Sequence, residues 1–93
     1  MSAIVLSGEC TVYEIAQLHQ QIHDNWTADT DLELDVSAVS VVDASFVQLL
    51  ASCKKQAGKQ ALQFLLIKPT EALDEKIKAM FMNDFFSAET SDE

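Results

Sequence analysis

The sequence predicts an α/β fold: a mixed, mostly parallel four-stranded sheet covered by about three to four helices. Three observations carry that expectation. Between Leu32 and Leu50 the apolar period changes: Leu32, Leu34 and Val36 alternate with Glu33, Asp35 and Ser37 as in a pleated strand, and Phe46, Leu49, Leu50 and Cys53 then recur at helical spacing. Extended and helical patterns succeed one another in the order β, β, α, β, α, β, α, and strands joined through helices become parallel neighbours with right-handed crossovers. Finally, 93 residues, 48% of them hydrophobic, suffice for one core and one domain. A mean hydropathy of +0.07 argues against disorder.

Taken in order, Ala3 to Leu6 is a β-branched run that ends at Ser7-Gly8, a turn signal, and Glu9-Cys10 makes a brief second extended piece. Thr11-Val12-Tyr13-Glu14 has the form of a capping box, opening a helix that buries Ile15, Leu18, Ile22 and Trp26. Thr27 to Asp31 is a polar connection. After the strand that starts at Leu32, Val39, Val41 and Val42 lead through a short corner to Asp43, whose carboxylate suits a helix N-cap. That second helix is expected to run to about Ala57, with Lys54 and Lys55 in its last turn and Gly58 at the C′ position. Leu62 to Ile67, nearly all apolar, reads as a strand buried on both faces, and Pro69 ends it. Thr70 caps a third helix with Leu73, Ile77, Met80 and Phe81 turned inward and Glu71, Asp74 and Glu75 in its first turns. Asn83-Asp84 breaks it, and Phe85 and Phe86 either return to the core or present an apolar patch. Residues 1–86 form the domain, and 87–93 an acidic disordered tail.

Charge and residue inventory exclude several classes. Six lysines, no arginine and fifteen acids give a net charge of −9, the wrong sign for nucleic acid and for anionic membrane surfaces. Without arginine there is no bidentate phosphate clamp and no loop to close over a catalytic thiolate. The only glycines, Gly8 and Gly58, are too far apart to build a phosphate-cradling loop. No Ser-His-Asp constellation is legible, since His19 and His23 share one helix, and without a third ligand at a recognisable spacing they make a poor metal site. A receiver domain needs an acidic pair after its first strand to hold magnesium, where this chain has Leu6-Ser7-Gly8. No apolar run is long enough to span a bilayer and no signal peptide is evident. The chain is therefore expected in the cytoplasm with Cys10 and Cys53 reduced, without metal or cofactor, and not as an enzyme.

The run Leu34-Asp35-Val36-Ser37, followed by Val42-Asp43, two small residues and an apolar helix, resembles the STAS domain, the family of anti-sigma factor antagonists and of the cytoplasmic domains of sulfate transporters. The resemblance reaches upstream to Leu6-Ser7-Gly8-Glu9 and downstream to Leu62–Ile67. It implies a single STAS-like domain acting as a non-enzymatic regulatory module that binds a kinase-like signalling protein, an anti-sigma factor or chemotaxis-type kinase, through Asp43, Ala44, Ser45 and Phe46. In antagonists of this family a Ser or Thr directly after the Val-Asp pair is phosphorylated, and the added charge breaks the complex. Here that position is Ala44, which carries no oxygen. Ser45, next along, is a candidate phosphoacceptor, with local bonding in the first helical turn as its ordinary role. Phe46 stands where the family usually has Gly; such a ring fences the docking surface or turns inward with Leu49 and Leu50. An alternative reading is the small STAS subunit of an ABC-type lipid transport complex, gripping its ATPase, which a second helix ending near Gly58 disfavours. The resemblance implies a protein partner, neither nucleic acid nor membrane insertion, and leaves the oligomeric state open, a homodimer included.

Overall fold

Strand β1 (Ile4–Cys10) is followed by α1 (Ile15–Asn25), β2 (Leu32–Val42), α2 (Ala44–Lys59), β3 (Phe64–Ile67), α3 (Glu71–Ala79), α4 (Asn83–Ser87) and a two-residue segment, β4 (Thr90–Ser91). The computed structural model describes residues 3–27, 30–87 and 90–91. The sheet order is β1-β2-β3-β4, and every neighbouring pair is parallel. Three strands of ordinary length carry the sheet, not the expected four. β4 adds only a short step beside Leu66 and Ile67; the rest of the segment expected as an acidic tail beyond Ser87 lies outside the described residues.

The missing strand has a local cause. Ser7-Gly8, expected to turn the chain, stays inside β1, so the two anticipated pieces are one strand. Gly8 takes φ +78, a conformation open to glycine at little cost, and a Cβ built there would meet nothing within 4 Å. The position therefore asks for backbone freedom, not for smallness. Around it the ladder shifts register twice, between Val5 and Ser7 and between Gly8 and Glu9. Paired residues are 30 apart in sequence at Ile4 and Leu34 but 32 apart at Glu9 and Val41, so β2 supplies the extra residues as bulges.

Because strand order follows chain order, right-handed crossovers put α1, α2 and α3 on one face of the sheet. Burial follows this placement. Leu6, Cys10, Leu32, Leu34, Val36, Phe64 and Leu66 are buried beneath the helices, while Val5 is exposed and Glu33, Asp35, Leu65 and Ile67 are half-buried. β3 is thus covered on one face and not on both, as its apolar run had suggested. The helices contribute Leu18 and Ile22 from α1, Phe46, Val47, Leu49, Leu50, Cys53 and Ala57 from α2, and Leu73 and Ile77 from α3.

The helix ends depart from the sequence reading in informative ways. Thr11 and Glu14 do bond to each other, Glu14 Oε1 accepting from the Thr11 amide (3.0 Å) and hydroxyl (2.6 Å). Yet this closes a single turn ahead of the helix, which starts at Ile15 with no side-chain cap. α2 runs through Gly58 to Lys59. The left-handed residue after it is Ala61 (φ +59), whose N–H bonds to the Gly58 carbonyl while that of Leu62 bonds to the Ala57 carbonyl, the paired closure of a Schellman motif. These turn residues shorten β3, which begins at Phe64. The same closure ends α3: the Phe81 N–H bonds to the Lys78 carbonyl, that of Met82 to the Ile77 carbonyl, and Phe81 is left-handed at φ +58. Phe81, expected inward, therefore points into solvent. Phe86 does return to the core, its ring 6.3 Å from that of Phe64. Lys54 holds α4 against α2, donating to the Phe85 carbonyl at 2.6 Å with its ammonium 4.9 Å from the centre of the Phe85 ring.

Candidate functional site

The carboxyl end of a parallel sheet is where its loops present recognition or chemistry, and in this fold that end is tied together by Asp43. The residue leaves β2 in extended conformation (φ −133°, ψ −176°) and caps α2. Its Oδ1 accepts from the Ser45 amide (3.0 Å), the Ser45 hydroxyl (2.5 Å) and the Phe46 amide (3.3 Å). Its Oδ2 accepts from the Val12 amide at 2.9 Å. One carboxylate thus fixes the mouth of α2 and clamps the β1–α1 turn to it. The Ser45 hydroxyl, and with it the amides of Val12, Phe46 and Ser45, holds the Asp43 carboxyl below the usual range. Hydrogen bonds from Thr11 do the same for Glu14, partly opposed by the nearby charge of Asp43.

The residues expected at this corner separate into two groups. Ala44 is exposed, and Asp43 and Ser45 are half-buried, the Ser45 hydroxyl bonded to Asp43. Phe46, expected among the partner-facing residues, is 0% exposed and packs in the core as the first inward residue of α2. It cannot touch a partner; a ring one turn into an amphipathic helix gains more from the core than from solvent.

In its place the clamp brings other apolar groups to the surface. Tyr13 is 91% exposed, Val12 60% and Val41 46%. Val12 is bonded to Asp43, and Val41 lies two residues before it in β2. Sequence reasoning missed Val12 and Tyr13 because the capping-box reading placed them in a helix that begins only at Ile15, and Val41 because it was read with Val39 and Val42 as one apolar step of the chain leading to Asp43. Tyr13 lies off the Ile15–Leu18–Ile22 stripe, the one signal that could have found it; Val12 lies on the stripe and gave none.

The thiols of Cys10 and Cys53 are free, and burial pushes each up to about 11, with the Glu14 charge adding to the effect at Cys10. Among the described residues no three of His, Cys, Asp and Glu converge on a metal site, and no helix is long and apolar enough to cross a membrane. What the corner offers is a fixed surface: an apolar patch around a helix mouth whose polar groups are already engaged with one another.

A family model described as "Mlab, STAS domain" matches residues 1–86. Among solved structures, one from Thermotoga maritima assigned as an anti-sigma factor antagonist has a TM-score of 0.79 to this chain, with 14% identity, over 96% of this chain and 78% of its own. That likeness is one of fold. No curated protein matches the chain. With a match spanning nearly its whole length, the chain belongs to the STAS family.

Proposed function

We propose that this protein is a cytoplasmic, non-enzymatic regulatory module of the anti-sigma factor antagonist type, docking a kinase-like signalling partner at the Asp43 corner. One observation carries the reading: the clamp from Asp43 to Val12 gathers exposed Val12, Tyr13, Val41 and Ala44 around an immobilised helix mouth. A surface of aromatic and aliphatic side chains on a rigid frame is what protein interfaces use as anchors. The position that carries the phosphoacceptor in antagonists of the family is Ala44, so the complex would form without the usual on–off switch at that site.

A second reading, the STAS subunit that grips the ATPase of an ABC-type lipid transporter, rested against a second helix too short for it. α2 ends at Lys59, one residue beyond Gly58, so that objection stands, and the reading is kept as the alternative outcome of the test below. Affinity capture with the wild-type chain, Tyr13→Ala and Ala44→Asp, followed by mass spectrometry, separates the readings. Recovery of a protein with a histidine-kinase-type ATP-binding fold, lost with both variants, supports the first. An ABC ATPase lost with both supports the second. A partner held equally well by both variants removes the interface from this corner and refutes the proposal.

A further inference from the structure

We propose that the partner docking at the Asp43 corner presents a cationic protein surface, a cleft that takes the Tyr13 ring with arginine or lysine side chains around its mouth. This names the chemistry of the partner on the docking reading and rests on that reading. Each exposed apolar side chain of the corner has a carboxylate beside it. Glu9 is the register partner of Val41, so their side chains stand together on one face of the sheet. Glu14 follows Tyr13 in the chain, and Asp43 holds the Val12 amide.

No lysine answers these carboxylates among the described residues. All six lysines lie between Lys54 and Lys78 and the chain has no arginine, so residues 1–53 supply neither. Lys54, Lys55 and Lys59 occupy the later turns of α2, and Lys76 and Lys78 the end of α3. Both helices run away from the carboxyl ends of the strands, which carries these cations toward the opposite pole. Lys68 follows β3 and acts on Asp35. β3 pairs with β2 only as far as Asp35, and Val41 lies roughly 20 Å further along β2 at about 3.3 Å per residue.

What Glu14 and Asp43 do engage are backbone amides and hydroxyls, which hold both ionised without neutralising them. The Asp43 charge acts unfavourably on Glu14. Like charges kept beside one another in this way are relieved by a surface of opposite sign, whereas a second copy of a chain of net charge −9 is repelled. Nor do the three carboxylates gather on one point as a metal ion requires. They ring an aromatic and aliphatic centre, the arrangement of an interface with an apolar core and a charged rim. Arginine matches both parts, since its guanidinium forks onto a carboxylate and stacks on a tyrosine ring.

NMR of the isotope-labelled full chain, titrated with the capped tripeptide Arg-Leu-Arg and in parallel with capped Glu-Leu-Glu, tests this. The arginine peptide is expected to shift the amides of residues 9–14 and 41–46 at low salt, and to lose that localised effect in about 1 M NaCl, where the Debye length is about 3 Å. The glutamate peptide is expected to shift none of them. Glu9→Gln and Glu14→Gln, the latter keeping the oxygen that accepts from Thr11, are each expected to weaken the arginine peptide about two- to threefold, the effect of one unit charge at about 7 Å in water. Asp24→Asn removes an exposed carboxylate at the far end of α1 and is expected to leave binding unchanged. Shifts spread equally over Glu33 and Asp35, no shifts at all, or a loss in Asp24→Asn equal to that in Glu9→Gln overturns the proposal. A captured partner released by Tyr13→Ala but held as firmly by Glu9→Gln and Glu14→Gln refutes this inference while the docking reading stands. A partner held equally by Tyr13→Ala and Ala44→Asp strikes the docking reading, and this inference with it.

Discussion

Moving the glycine at the end of α2 gives a test in which the sign of the effect is at stake. Gly58 lies within the last turns of α2, exposed, with open space where a Cβ would stand. In such a place Gly→Ala stabilises by about 0.8–1 kcal/mol, because glycine has more backbone freedom to lose. Ala61 holds the left-handed position (φ +59) that closes the helix. That conformation costs a residue with a Cβ roughly 1–2 kcal/mol, against roughly 0.5–1 kcal/mol for the extra unfolded-state freedom of glycine, so Ala61→Gly is expected to gain about 0.5–1 kcal/mol. The double variant should gain at most about 2 kcal/mol, since the two sites share a hydrogen bond from the Ala61 amide to the Gly58 carbonyl and need not add fully. For a domain of this size each kcal/mol raises Tm by about 4–8 °C. Urea unfolding followed by Trp26 fluorescence reads the gain as a higher midpoint at unchanged slope. If Gly58→Ala lowers the midpoint, Gly58 is the left-handed residue after all, and the account of where α2 stops is wrong.

Two further outcomes follow from burial and from charge. Phe46→Ala removes a fully buried ring from the core and is expected to cost about 3–5 kcal/mol in the same urea assay, whereas a cost below about 1 kcal/mol would mean the ring is not in the core. Asp43, Glu14 and Asp35 all have carboxyls lowered in the folded state, by hydrogen bonds chiefly from Ser45, Thr11 and Ser37 respectively. The unfolded chain therefore takes up protons first on acidification. The stabilisation is complete above the ordinary carboxylate range of about 3.9–4.3 and is lost as pH falls through the folded values. Asp43→Asn should make the acid limb of a stability–pH profile shallower than the wild type's, and an identical limb would remove Asp43 from the linkage.

The elements most legible in the sequence are those where period, caps and burial agree. Asp43 as N-cap of α2, Thr70 as N-cap of α3 (its hydroxyl accepting from the Leu73 amide at 3.3 Å) and the inward stripes of α1 and α2 follow from spacing alone. The misreadings occur where backbone conformation overrides residue preference. Ser7-Gly8 is a turn signal absorbed by register shifts against β2, which only the partner strand could reveal. Gly58 is a stop signal passed over because the helix closes on Ala61, and Phe81 leaves its expected stripe because the closure of α3 falls on it. At the candidate site, Asp43 was legible as a cap, but its second oxygen reaches Val12 from 31 residues away, and no local pattern encodes that contact. Val12 and Tyr13 became visible as surface only through it.

That clamp also bears on whether a switch survives at the proposed docking corner. A phosphoryl group on Ser45 would first have to break the 2.5 Å hydrogen bond from its hydroxyl to Asp43. It would then set roughly −1.5 to −2 charges beside a carboxylate whose own charge is favoured by the same surroundings. Two anions competing for one helix mouth would loosen the cap and release Val12, so modification there would dismantle the surface as well as charge it. Ala44, exposed at the adjacent position, offers no oxygen at all. Phe46 adds to this, its ring packing the first turn of α2 into the core. On the proposed reading, a helix mouth whose polar groups are bonded to one another, an exposed Ala44 without a hydroxyl and a Ser45 already engaged with Asp43 would favour a partner held continuously, with release governed by the partner's own state.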